Sequence, residues 1–226
     1  MISRRNIRVK VMQTLYTVES QLAEPNAGET VNSQTGKKNP DPVKLLQNHF
    51  DQTRQLFVFL IHSLAEVALY AQTDARNRAS KHLPTEEDLN VNTKIAQNEL
   101  LLKILDLASW KQAIKEIKPH HLDNPELHRK LYLELVASEK YQQYISTNER
   151  DKKEEKEMLE YIFNDLMLPS EAFTSYVEEN FTNWDDDVEM LNVLMQNFLN
   201  KPSSWNFQEL LSKEKWQFAK GLLETT

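Results

Sequence analysis

From Val43 to about Lys81 the apolar residues Leu45, Leu46, Phe50, Leu56, Phe57, Leu60, Ile61, Leu64, Val67 and Ala68 return at helical spacing, giving one long helix with a broad apolar face. Such a face must be covered by other helices. Pro84 ends or interrupts it, and Thr85-Glu86-Glu87-Asp88 sets acids where a new helix would start. Leu100, Leu101, Ile104 and Leu105 predict helix again before Pro119. Asn124 is a cap with Pro125 at the first helical position, and Leu127, Leu131, Tyr132 and Leu135 carry that helix to Tyr144. The run Glu149 to Glu157 alternates Lys or Arg with Glu or Asp. It reads as the solvated start of a helix that turns apolar at Met158, Leu159, Ile162 and Phe163. Ser170 caps a helix through Phe181, and a last one holds Val188, Leu191, Leu194, Met195, Phe198 and Leu199 before Pro202. No strand-like alternation competes, so the expected class is all-α, a helical bundle. The segment Pro25 to Pro42 has few side chains able to build a core and reads as a flexible loop.

Charge is positioned along this chain. Residues 1–18 hold Arg4, Arg5, Arg8 and Lys10 and no acid; with 27 basic and 34 acidic side chains in all, the residues after 18 hold 23 against 34, a balance of −11. A polyanion can be held at the basic segment while the acidic remainder repels indiscriminate nucleic-acid binding. In the same segment Ile7, Val11, Leu15, Val18 and Leu22 form one helical stripe that wants a core. Arg5, Val9, Met12 and Tyr16 lie about a quarter turn away, a row suited to phosphate and base contacts, and Ser3 is placed to cap the helix. Lys10 points away from that row. An ordinary amphipathic first helix with solvated arginines fits the same pattern.

Catalysis finds little support in the remaining residues. Asp185 to Asp187 is a carboxylate cluster, but consecutive helical positions diverge and three acids at a helix start serve as cap and dipole partners. His120, His121 and His128 lack the spacing of a helical zinc site, and their simplest reading is a solvated pair plus one. The chain has no Cys, hence no disulfide or thiolate metal site, and Gly28, Gly36 and Gly221 are too isolated to build a phosphate-cradling loop. The longest uninterrupted apolar stretch, Leu56 to Ile61, is too short to span a bilayer, which makes a cytoplasmic location the expectation, with no membrane partner.

The string SRRxxRxKxMQxLY resembles the amino-terminal helix of NusB-type transcription antitermination factors, at Arg4, Arg5, Arg8, Gln13, Leu15 and Tyr16. The segment WQFAKGLLETT is similar to a later helix of that family at Phe218, Lys220, Leu222, Leu223 and Thr226. The separation between them resembles the longer branch of the family, which carries a large helical insertion. The resemblance divides the chain into a basic helix at 1–22, an insertion at 23–205 containing the loop at 25–42, and a return to the NusB-like domain at 206–226. Nothing matches the family's final helices, so the expectation is a domain that continues beyond Thr226. The resemblance implies binding of single-stranded, boxA-like RNA from ribosomal RNA leaders, together with the small-subunit ribosomal protein NusE and the RNA polymerase elongation complex. It implies no cofactor and no enzymatic activity. NusB-like domains also accompany ribosomal RNA methyltransferases, but such an enzyme needs a glycine-bearing cofactor domain that this sequence lacks. The RNA-binding residues it implies are Arg4, Arg5, Arg8, Lys10, Gln13 and Tyr16. A helical protein-interaction module without direct RNA binding is the alternative.

Overall fold

The computed structural model describes residues 2–23 and 41–225, and among these it is all-α, with eleven α-helices, three 3-10 turns and one π turn and no strand. The expected loop at 25–42 lies outside the described residues except for its end, where Asp41 and Pro42 open a helix. Two compact units emerge: residues 1–54 with 209–226, and residues 55–208. The sequence reading divides the chain at 22 and 205. Packing divides it elsewhere because the first turns of the long helix carry their own contacts to the terminal helices.

In the first unit, α1 (Arg4–Ala23) packs against the helix near the chain's other end, and the start of α2 (Pro42–Ala79) joins them. The Asp41 carboxylate accepts from the Val43 N–H at 3.0 Å, and Pro42 sits at the first helical position where its missing N–H costs nothing. The core holds Ile2, Ile7, Val11, Leu46, Phe50, Ala219 and Leu223. The predicted stripe on α1 is buried at Ile7 and Val11, half-buried at Leu15 and Val18, and lost at Leu22, which is 60% exposed. Thr14 and Lys10 are buried instead. The Thr14 hydroxyl donates to the Lys10 carbonyl at 2.8 Å and lies 2.9 Å from His49 Nδ1 of α2, so a polar contact continues the face that the apolar stripe began. Phe50 meets Trp216 edge to face at 6.2 Å between ring centroids.

The second unit is built around the rest of α2. Leu56 through Ile61 are six consecutive buried residues, so here the helix is enclosed on all sides rather than along one face. α2 is long and apolar enough to cross a membrane by length and composition, which the short uninterrupted run Leu56 to Ile61 did not suggest; 67% of its most apolar window is buried inside the protein. Phe57 meets Phe198, Trp205 and Phe207 at centroid distances of 6.0, 5.4 and 6.3 Å. Burial of one such ring stabilises by roughly 1.5–3 kcal/mol.

The rest of the second unit comprises α3 (Glu86–Leu89), α4 (Glu99–Asp106), α5 (Ala108–Ile117), α6 (Pro125–Ala137), α7 (Glu139–Ser146), α8 (Lys152–Tyr161), α9 (Glu171–Asn180) and α10 (Trp184–Asn200), with α11 (Lys213–Glu224) returning to the first unit. The caps follow local chemistry. Thr85 and Asp88 form a reciprocal capping box, and Asn124 and Ser170 cap α6 and α9. The single helix expected from Asn124 to Tyr144 is two, because Ser138 leaves the helical path and its hydroxyl caps α7 at the Tyr141 N–H. α8 widens into a π turn at Ile162–Met167, closed by a Leu168 N–H to Phe163 carbonyl bond of 3.0 Å.

One expectation of the charge run fails. Glu155 is only 1% exposed: its carboxylate accepts from the Glu99 N–H at 2.6 Å, the Tyr144 hydroxyl at 2.9 Å and Arg150 Nη1 at 3.0 Å. A carboxylate with three donors is satisfied inside a protein, so this one ties α4, α7 and α8 together. The same burial, with the Glu155 charge beside it, pushes the Tyr144 phenol well above its usual range.

Candidate nucleic-acid interface

Ser3 opens α1 as expected: its hydroxyl accepts from the Asn6 N–H at 3.1 Å and its carbonyl from the Ile7 N–H at 3.1 Å. The first turn that follows contains Arg4 and Arg5 and no acid. Cations at this end of a helix oppose the macrodipole, at a cost of about 0.3–1 kcal/mol each when exposed. The arrangement therefore works against local stability and adds side-chain charge to the positive end of the dipole. That is the electrostatic pattern of a surface that attracts anions.

Exposure sorts the six candidate residues. Arg4, Arg5 and Arg8 are exposed, Tyr16 is 74% exposed, Gln13 is half-buried and Lys10 is 4% exposed. The whole row Arg5, Val9, Met12 and Tyr16 faces outward, with Val9 and Met12 at 45% and 63%. Tyr16 is thus available as a stacking surface and is not a core aromatic. Lys10 lies on the opposite, buried side with Thr14, which separates it from the three arginines.

The packing of α1 on α11 adds a group that residue spacing alone did not single out as a site residue. Phe218, half-buried on α11, has the Arg4 guanidinium carbon 5.3 Å and the Arg8 guanidinium carbon 5.8 Å from its ring centroid. Positions 4 and 8 are one helical turn apart, so both side chains reach the same ring. Lys215 donates to the Ile2 carbonyl at 2.5 Å, and Lys220 lies 5.4 Å from the Trp216 centroid. Among the described residues no carboxylate is paired with Arg4, Arg5 or Arg8. The signal for Phe218 lay in the sequence as the aromatic of the second family-like segment, but only the helix pairing gives it partners.

Elsewhere a second group of titratable residues lies in the second unit. His62 and Asp123 are 2.7 Å apart, and Asp123, Glu66 and His128 line a pocket of about 190 Å³. Burial pushes the His128 imidazole down to about 4, opposed by Asp123 and aided by His62. Burial also raises the Glu66 carboxyl, with His62 opposing and Asp123 adding. His120 and His121 are exposed and stack edge to face at 4.5 Å, and Asp187 is buried with the Asn183 amide donating to it at 2.7 Å, while Asp185 and Asp186 stay exposed. Among the described residues no three His, Asp or Glu side chains converge to hold a metal ion. Comparison of the chain with protein-family models, with curated proteins and with solved structures gave no match.

Proposed function

We propose that this protein is an RNA-binding transcription antitermination factor of the NusB type, with the exposed face of α1 as its RNA contact. The observation that carries the reading is that the two family-like segments, at opposite ends of the sequence, form one packed pair, with Arg4, Arg5, Arg8 and Tyr16 on its open side. Arginines supply sequence-independent attraction to phosphates, and an exposed tyrosine beside them supplies a face for an unstacked base. Gln13, half-buried at the edge of that row, is the group for a base edge. Lys10 belongs to the packing side. The partners of this reading are boxA-like single-stranded RNA of ribosomal RNA leaders, the ribosomal protein NusE and the elongating RNA polymerase in the cytoplasm. The role is non-enzymatic and needs no cofactor.

The exposed apolar residues Val9 and Met12 in the same row favour a second reading, in which α1 docks a protein without touching RNA. Salt separates the two. Each phosphate contact with single-stranded RNA contributes roughly 0.7 to the slope of log affinity against log salt, so replacing Arg4, Arg5 and Arg8 by Ala removes about 2 from it. Fluorescence titration of a boxA-like oligoribonucleotide across a salt series measures that slope. A triple variant with unchanged slope and affinity rejects RNA contact by this face and leaves the protein-docking reading.

A further inference from the structure

We propose that Phe218 is a positioning residue of the RNA-binding face, gathering Arg4 and Arg8 over one aromatic ring so that they meet the phosphate backbone as a pair. The inference rests on the RNA reading above and adds a residue outside α1 to it. The geometry is the argument. Two guanidiniums one turn apart on α1 stand 5.3 and 5.8 Å from the same ring centroid, close enough for attraction to its π face.

Exposed arginines are otherwise free to sample many rotamers, and ordering them on binding opposes association. A ring already in contact with both lowers that cost before RNA arrives. It also allows two like charges to be held on one side of the helix, where a bound phosphodiester relieves their repulsion. Phe218 is itself fixed because its neighbours on α11 are tied down. Ala219 is buried, Trp216 meets Phe50, and Lys215 is bonded to the Ile2 carbonyl. The aromatic platform is thus part of the packed helix pair, and the exposed arginines lie against it.

Phe218→Leu keeps an apolar side chain at the helix contact and removes the π face; Phe218→Tyr keeps both. Using the whole chain and a boxA-like oligoribonucleotide, Phe218→Leu is expected to weaken binding by about 3- to 30-fold with little change in melting temperature, and Phe218→Tyr to restore it. Proton NMR tests the contact itself. The Arg4 and Arg8 side-chain methylenes should be ring-current shifted in the parent and in Phe218→Tyr and return to ordinary values in Phe218→Leu. Parent-like affinity in Phe218→Leu, or absence of the ring-current shift in the parent, overturns the role of Phe218 and leaves the RNA reading standing. No binding of the oligoribonucleotide by the parent at low salt overturns the RNA reading itself, whatever the arginine resonances show.

Discussion

On the proposed RNA reading, Tyr16→Ala separates recognition from folding. The side chain is 74% exposed, so its removal empties no cavity and leaves no buried group without a partner. Surface substitutions of that kind stay within about 0.5 kcal/mol, and alanine has a slightly better helix propensity than tyrosine, so the melting temperature is expected to hold or rise a little. Loss of a stacking face is a different matter: base–aromatic contacts are worth about 1–3 kcal/mol each, which is a weakening of about 5- to 150-fold. No charge is removed, so the salt slope should match that of the parent. The assay is fluorescence anisotropy with a boxA-like oligoribonucleotide over a salt series, beside a thermal melt followed by circular dichroism. Unchanged affinity would refute the stacking role. A fall of many degrees in the melt would refute the exposed placement on which the argument is built.

Three further outcomes follow from the packing. Glu155→Ala strands the Glu99 N–H and the Tyr144 hydroxyl and unpairs Arg150, so it should destabilise by about 3–5 kcal/mol in denaturant titration; a loss below about 1 kcal/mol would show the carboxylate to be dispensable. His128 is neutral in the folded chain down to about pH 4 but takes a proton near pH 6.5 when unfolded, so stability should fall as pH drops from about 6.5 to 4. His128→Gln should flatten that limb in chemical denaturation across pH, whereas an equally steep limb would assign it elsewhere. Lys118 closes α5 in the left-handed region at φ 53°, and Lys118→Gly should raise the melting temperature by about 1–4 °C in calorimetry; a decrease would mean the lysine side chain contributes more than the backbone strain.

Local chemistry was legible in the sequence and long-range pairing was not. Ser3, Asn124 and Ser170 cap helices because a short polar side chain satisfies backbone donors only three residues away. The exposed row of α1 was legible for the same reason, since helical geometry fixes which residues share a face. Glu155 was misread because a run of alternating charges looks solvated until Tyr144, Arg150 and the start of α4 come to it. Lys10 and Thr14 were missed as buried positions because polar residues do not mark a core face, and Ser138 because one short polar residue rarely breaks a strong apolar stripe. Phe218 carried a visible motif but no visible partner. Its arginines lie more than two hundred positions earlier, a distance that no periodicity bridges.

The pairing of α1 with α11 also sets an order of events during synthesis. α1 leaves the ribosome well before its partner helix α11, which begins only at Lys213. At ordinary elongation rates of about 5–20 residues per second the wait is on the order of 10–40 s. The intervening residues 55–208 form a compact unit of contiguous sequence that can collapse before α11 is made. Until α11 is made, the basic helix has only the start of α2 to pack on, beside a polyanionic ribosome. Chaperone engagement or nascent-chain RNA contact in that interval would be a direct consequence of having two halves of one helix pair about two hundred residues apart.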